Sequence, residues 1–386
     1  MKIGVVTGTR AEYGLLRGLM SEVLKDADLT LMTFVTGTHL SAKYGLTFKW
    51  IERDGFHIHA RIPIDLADNT PLGIASAMAQ GVSGLSAAIA EARPDVIVIL
   101  GDRFEALAAA QAAMLLNVPI AHIHGGEITE GAVDNAIRHA ITKLAHVHFT
   151  AAEPYRRRVI QMGENPATVF NVGSLGVDHI REYVPVSRFQ LEQALGQRLN
   201  EPFFLVTLHP ETLNPQRNEL LVRSLIEAFE QFPEASKVIT MPNADAGSQQ
   251  INELLLDYAR RNPKKVKSVP SLNELYLSAM YHCTAVLGNS SSGIIEAPAM
   301  QKPSINIGDR QKGRLRADSI LDVNINAAEI AEAIRTAMSD AFLERLKTMM
   351  PPYGSGRTAF TIKEIIKKTS LQPLLVKSFY DLEVKN

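Results

Sequence analysis

Three carboxylates and two arginines fall at spacings suited to proton transfer on a bound small molecule. The chain reads Leu100-Gly-Asp-Arg-Phe-Glu105, then His122-Ile-His-Gly-Gly-Glu127, then Asp134-Asn-Ala-Ile-Arg138. Asp102 and Glu127 each follow an apolar run that reads as a buried parallel strand. In an open α/β sheet, ligands bind in the crevice beyond the carboxyl ends of the strands. Asp134 opens a predicted helix, with Arg138 one turn further on. Acids meeting at one crevice suit general acid and base work, with Arg103 and Arg138 as supports.

A second set of residues suits an anionic ligand. The loop Thr7-Gly-Thr-Arg-Ala-Glu-Tyr-Gly14 joins the first strand to the first helix, where small residues and a helix N-terminus favour anions. Arg10 adds a guanidinium fork for phosphate or carboxylate. This loop is not the G-x-G-x-x-G fingerprint, which argues against a nicotinamide cofactor. Gly288-Asn-Ser-Ser-Ser-Gly293 ends another strand and opens a helix, so backbone N–H groups and the hydroxyls of Ser290 and Ser291 face one point. Glu296, one turn into that helix, could take the paired hydroxyls of a ribose. N-capping serines and a helix-dipole glutamate would leave the same trace.

Other strand ends add His209 after Leu205-Val-Thr-Leu, Asn243 after the next strand, and Arg310 and Arg314 in Gly308-Asp-Arg-Gln-Lys-Gly-Arg314. His39, after Phe34-Val-Thr-Gly-Thr38, is a candidate for holding a sugar. Histidines are numerous near the acids (His122, His124, His139, His146 and His148), yet neither H-E-x-x-H nor C-x-x-C occurs, so no metal is expected. The absence of a G-x-S-x-G elbow argues against a serine nucleophile.

Bulk properties narrow the field. With 386 residues the chain is too long for one core, which suggests two domains. The net charge of −1 provides no basic field for nucleic acid or anionic lipid, so an anionic ligand must be held locally. The single cysteine, Cys283, lies in an apolar segment and reads as core packing in a reducing compartment. The first strand begins at Lys2 with no secretory pattern before it, and no unbroken apolar run approaches the roughly 20 residues of a bilayer span. A cytoplasmic protein without membrane or nucleic-acid partners is the expectation.

Short β-branched runs alternate with longer helical patterns, as in βα units on parallel sheets. Strands are expected at Ile3–Gly8, Leu31–Thr36, Phe56–Ile64, Val96–Leu100, Ile120–His124, Val147–Thr150 and Val169–Val172. Helices are expected at Glu12–Lys25, Ile74–Glu91 and Glu105–Leu116. A linker and a polar helix around Gly173 to Pro202 precede a second series at Phe203–Leu208, Val238–Met241, Val266–Val269, Ala285–Gly288, Ser304–Ile307 and Ile320–Val323. This is an α/β chain of two Rossmann-like domains with parallel sheets and an expected interdomain cleft. The first domain is expected over 1–175 and the second over 176–358. A helical tail is read over Ala359–Lys377, with residues 359–386 packing back on the first domain.

Taken together, Thr9-Arg-Ala-Glu-Tyr13, Gly101-Asp-Arg-Phe-Glu105, His124-Gly-Gly-Glu127, Ile137-Arg-His-Ala-Ile-Thr-Lys-Leu-Ala-His146, His209-Pro-Glu211, Gly288-Asn-Ser-Ser-Ser-Gly293 and Gly308-Asp-Arg-Gln-Lys-Gly-Arg314 resemble the hydrolysing UDP-N-acetylglucosamine 2-epimerases of sialic and legionaminic acid synthesis. The resemblance runs from the first strand to about residue 325. It implies a GT-B fold, no metal or redox cofactor, and a homodimer or homotetramer. The implied chemistry removes the C2 proton while UDP leaves C1, giving a 2-acetamidoglycal, after which water adds at C1 and a proton returns to the other face of C2.

By the same resemblance, Asp102, Glu127 and Asp134 are the acid/base set, with Arg103 and Arg138 as supports. Arg10, His209, Asn243, Ser290, Ser291, Glu296 and Arg310 match positions that hold UDP, with Arg314 beside them. His209 and Arg310 would stabilise the leaving diphosphate. Relatives that epimerise without hydrolysis carry a G-T-R-P-E start, whereas position 11 here is Ala, which favours hydrolysis.

The expected substrate is UDP-N-acetylglucosamine. The segment Thr129-Glu-Gly-Ala-Val-Asp134 instead resembles the branch acting on UDP-2,4-diacetamido-2,4,6-trideoxyglucose. A GT-B glycosyltransferase and a non-catalytic nucleotide-sugar sensor are the competing readings. The first has no need of three acids around C2, and the second needs no turnover.

Overall fold

The structure, a computed structural model, describes residues 1–68, 70–128, 133–210, 215–241, 248–354 and 356–382. The chain divides into two units, Met1–His179 with Gly356–Asn386, and Ile180–Ser355.

The first unit is built on seven strands: β1 (Lys2–Thr7), β2 (Thr30–Thr36), β3 (Ile58–Ile62), β4 (Val96–Leu100), β5 (Ile120–Ile123), β6 (Val147–Thr150) and β7 (Val169–Asn171). They pair in parallel in the order β3-β2-β1-β4-β5-β6-β7. Because chain order reverses between β1 and β4, the loops that follow these two strands flank the switch point of the sheet. A crevice forms there without special side chains. Those two loops carry Arg10 and Asp102.

Both faces of this sheet are covered, which is why its strands are apolar runs rather than alternating ones. The Arg10–Leu24 helix buries Leu16, Leu19 and Val23 on one face, together with Ile362 and Ile366 of the Thr358–Lys368 helix. Each of these side chains contributes about 1.5–3 kcal/mol on burial. The other face takes Leu85 and Ile89 of the Pro71–Ala92 helix and an alanine-rich stripe of the Phe104–Leu115 helix. Alanine lets these two helices lie close: a Cβ on Gly81 would sit 3.2 Å from that of Ala108.

The second unit carries β8 (Phe203–Thr207), β9 (Ser236–Thr240), β10 (Val266–Val269), β11 (Ala285–Gly288), β12 (Ser304–Ile307) and β13 (Ile320–Val323). Its parallel order is β10-β9-β8-β11-β12-β13, so the switch point falls between β8 and β11. The loops after these strands hold His209 and Ser290. One core packs Leu221, Leu225 and Phe229 against Phe204 and Ile334, and the other packs Leu191 and Met280 against Phe203.

Three expectations need correction. The tail is helical only over Thr358–Lys368; Thr369 turns extended, and a short 3-10 turn at Gln372–Leu375 contains Pro373, which cannot donate to a continuing helix. The third strand spans Ile58–Ile62 rather than Phe56–Ile64, ending just before Pro63. Finally, the Pro71–Ala92 helix, capped by Thr70, is long and apolar enough to cross a membrane by length and composition, with a mean hydropathy of 1.4. Its buried stripe of Ala77, Gly81, Leu85 and Ile89 lies on the sheet, which is the position of a layer helix.

Candidate functional site

Just past β4, Gly101 turns through φ +79° and its N–H reaches the Ile123 carbonyl at 3.0 Å. That turn brings Asp102 out beside the end of β5. There His124, at φ +67°, and Gly126, at φ +79°, turn the chain toward Glu127. A Cβ at Gly126 would lie 2.4 Å from the Tyr155 carbonyl oxygen, so the turn requires glycine.

Arg138, buried in the Val133–Leu144 helix, joins the two loops. Its Nη2 donates to the Asp102 carboxylate and its Nη1 donates to the Glu127 carbonyl at 2.9 Å. The Glu127 carboxylate faces His124 Nδ1 at 3.3 Å. Asp134, in the first turn of the same helix, is exposed. It acts on Arg103: burial opposes the charge of Arg103, but Glu105, Glu12 and Asp134 outweigh it and raise its pKa. Arg103 pairs with the buried Glu105 at 3.2 Å. The structure thus assembles Asp102, Arg103, Glu127, Asp134 and Arg138 around the ends of β4 and β5.

Glu12 belongs to this neighbourhood and was not singled out from the sequence. Its Oε2 accepts the N–H groups of Gly8 (2.7 Å) and Thr9 (3.2 Å), while the Thr9 hydroxyl caps the same helix in return. Burial pushes the Glu12 carboxyl up to about 7, reinforced by Glu105 and opposed by the Gly8 N–H. The Thr9-x-x-Glu12 capping box was its sequence signal. Glu105 lay inside a recognised motif, but only the fold reveals its burial against Gly8 and Gly37.

His122 also gains a role. Buried and neutral, with its pKa pushed down to about 3 by burial first, it donates from Nε2 to the Gly101 carbonyl at 2.8 Å. Its Nδ1 meets the Thr142 hydroxyl at 3.3 Å. It therefore ties the residue before Asp102 to the helix that carries Arg138.

Arg10 opens its helix, is exposed, and stacks 4.2 Å from the Trp50 ring centroid, which pre-orients the guanidinium. His39 is a correction. It is fully buried, with Nδ1 on the Thr47 hydroxyl at 2.8 Å and Nε2 on the Thr7 hydroxyl at 3.1 Å. With both ring nitrogens engaged and burial holding its pKa near 4, His39 fixes the β1 and β2 loops instead of meeting a sugar.

In the second unit, Gly288 adopts φ +135°, and a Cβ there would lie 1.9 Å from the Thr207 carbonyl oxygen. Only glycine allows β11 to run this close to the end of β8. The next residue, Asn289, is fully buried and works in two directions. Its side chain accepts the His209 N–H at 2.7 Å and donates to the His209 carbonyl at 2.8 Å. Its own carbonyl accepts from Arg310 Nη1 at 3.0 Å and from Gln311 Nε2 at 2.9 Å. One residue thus sets both the His209 and the Arg310 loops.

Ser291 is the N-cap of the Ser292–Ala299 helix, yet its hydroxyl makes no capping bond. Ser290 Oγ accepts from the Ser292 N–H at 3.3 Å. Glu296 Oε2 is buried without a hydrogen-bond partner among the described residues. Burial raises the Glu296 pKa, and Arg314 pulls against that rise. An acceptor buried beside hydroxyls and helix N–H groups is suited to a ligand that brings its own donors, as ribose hydroxyls would. His209, Ser290, Ser291, Glu296, Arg310 and Arg314 therefore gather at the ends of β8, β11 and β12. Asn243 lies outside the described residues.

Comparison with known proteins gives these positions a context. The profile of the family described as UDP-N-acetylglucosamine 2-epimerase matches residues 21–367. The chain is 41% identical over 99% of both sequences to the GDP/UDP-N,N'-diacetylbacillosamine 2-epimerase (hydrolyzing) of Campylobacter jejuni. It is 35% identical, over 99% of this chain and 97% of the relative, to the polysialic acid biosynthesis protein P7 of Escherichia coli. Its fold is similar to the crystal structure of the Neisseria meningitidis UDP-GlcNAc 2-epimerase bound to UDP-GlcNAc, with a TM-score of 0.82 and 20% identity over 96% of this chain and all of that one.

Proposed function

The chain belongs to the UDP-N-acetylglucosamine 2-epimerase family, and from that premise we propose that it hydrolyses a UDP-linked 2-acetamido sugar with inversion at C2. The observation that carries this reading is the Arg138 grip on Asp102 and on the Glu127 backbone, which presents two carboxylates at adjacent strand ends. Asp102, Glu127 and Asp134 form the acid/base set: one removes the C2 proton and another returns a proton to the opposite face. UDP departs from C1 with the C1–O bond electrons, leaving a 2-acetamidoglycal that takes up water at C1.

In the second unit, Ser290, Ser291 and the Ser292–Ala299 helix N-terminus suit the diphosphate, with His209 and Arg310 countering its growing charge. Glu296 suits the ribose. Arg10 is a further cation for the phosphates.

For the sugar itself, 41% identity to a relative named for N,N'-diacetylbacillosamine supports UDP-2,4-diacetamido-2,4,6-trideoxyglucose over the UDP-N-acetylglucosamine expected from sequence. The polysialic acid relative at 35% keeps UDP-N-acetylglucosamine as the second reading.

The test is turnover of each sugar in deuterated water. Deuterium at C2 of a free manno-configured product, with release of UDP, is the expected result. Transfer or hydrolysis without C2 exchange would refute the epimerase chemistry. A higher kcat/KM for the N-acetylglucosamine donor would reverse the substrate order. UDP and GDP are compared as product inhibitors, because the Campylobacter relative is named for both nucleotides.

A further inference from the structure

The Val133–Leu144 helix holds Asp134 and Arg138, and it is only 12 residues long. A helix of this length is marginal alone and depends on what secures its ends. Its last turn leaves carbonyl oxygens without intrahelical donors. The Ala145 N–H serves the Ile141 and Thr142 carbonyls, and Lys377 serves the turn beyond: its Nζ donates to the Lys143 carbonyl at 2.8 Å and, one residue past the helix, to the Ala145 carbonyl at 2.6 Å. A cation at this end also opposes the negative pole of the helix.

Lys377 is itself anchored. Glu164, almost wholly buried, faces Lys377 at 2.7 Å, Lys143 at 2.5 Å and His148 at 3.0 Å. Two neighbouring contacts hold the tail in place. The Tyr380 N–H reaches the Gly163 carbonyl at 2.9 Å, and the Phe379 ring lies so close over Gly163 that a Cβ there would come within 2.4 Å of it. Lys143 Nζ stands 5.0 Å from the centre of the same ring.

From the capped turn a short relay leads to the acids. Thr142 adjoins Lys143, and its hydroxyl lies 3.0 Å from the Arg138 carbonyl and 3.3 Å from His122. Arg138 then grips Asp102. We infer that Lys377 is a positioning residue for the epimerase chemistry: by capping the Val133–Leu144 helix it holds Arg138 against Asp102. The inference rests on the proposed hydrolysing activity for its kinetic consequence, but its structural part is independent of that activity.

The experiment uses the full chain, with Lys377→Met to remove the cap and Lys377→Arg to restore a cationic donor. Steady-state kinetics are measured with the diacetamido UDP-sugar, UDP affinity by calorimetry, and the Arg138 Nε–H resonance by NMR. Lys377→Met is expected to lower kcat about tenfold through misplacement of the acid/base group, with KM and UDP affinity little changed. The Arg138 resonance should shift or broaden, and Lys377→Arg should recover both signals. An unmoved Arg138 resonance in Lys377→Met, or a kcat equal to that of the unaltered protein, overturns the inference. A fall in kcat that tracks only lost thermal stability also overturns it. Should the unaltered protein fail to hydrolyse either sugar, the functional reading falls, while the resonance still decides whether Lys377 positions Arg138.

Discussion

Arg138 and Asp102 form a nearly enclosed ion pair, with side-chain exposures of 5% and 24%. The same guanidinium holds the Glu127 backbone, so the placement of both acids depends on one cation.

Arg138→Met leaves Asp102 without its charged partner and Glu127 without its backbone donor. The kcat for UDP-sugar hydrolysis should fall roughly hundredfold, as expected when preorganised charge is lost from a reacting site. Stability should fall by about 2 kcal/mol. Arg138→Lys should rescue little, because an ammonium cannot span both acceptors as the planar fork does. Single-turnover kinetics and urea unfolding of the two variants check this.

Glu296→Gln should separate binding from folding. The apo protein should become more stable, because a buried carboxylate with a raised pKa loses its desolvation cost. UDP affinity should drop about tenfold or more as charge-assisted bonds to the ribose weaken. Thermal melts without nucleotide and calorimetric titration with UDP give the two numbers. Equal affinity for UDP would remove Glu296 from the ribose site.

Gly288→Ala would force a methyl group to 1.9 Å from the Thr207 carbonyl oxygen, at a φ that alanine rarely adopts. We expect about 3 kcal/mol or more of destabilisation and loss of UDP binding. Urea midpoints and calorimetry on the soluble fraction test it.

The pH dependence of stability has two opposing parts. Burial holds His39 and His146 near pKa 4 and His122 near 3, well below the ordinary value of 6.5. Between those limits the unfolded chain takes up protons that the native one refuses, so stability falls as pH drops below about 6.5. Glu12 acts the other way: with its carboxyl raised from 4.5 to about 7, the native state binds the extra proton, and stability declines as pH rises through that window. Glu12→Gln removes the counterweight, so the acid-side decline of the urea midpoint should steepen between about pH 4.5 and 7. An unchanged slope would mean that Glu12 titrates normally.

Much of this was legible in the chain. β-branched runs ending in glycine placed the strand ends, and parallel sheets bring strand ends together; this is why Asp102 and Glu127 were found as neighbours. The Gly288 loop announced itself through glycine and serine at a helix start. What escaped was burial of polar groups, since a histidine or glutamate looks the same in sequence whether it faces a ligand or a threonine. The strand-end position of His39 suggests a sugar contact, whereas Thr7 and Thr47 take both its nitrogens. Glu12 escapes because its raised pKa comes first from burial, which the capping box alone does not reveal, and then from Glu105, distant in sequence. Periodicity carries the tail helix on to Lys377, whereas it ends at Lys368, and periodicity gives no sign of the Lys143 and Ala145 carbonyls that Lys377 meets.

Asn289 has a bearing on how this protein can be altered. Its side chain clasps the His209 backbone while its carbonyl receives Arg310 and Gln311. Two loops separated by about a hundred residues therefore share one hinge pin, and a change in the backbone of one is felt by the other. Substitutions at the two loops should combine non-additively, and libraries that vary both at once should succeed where stepwise changes stall.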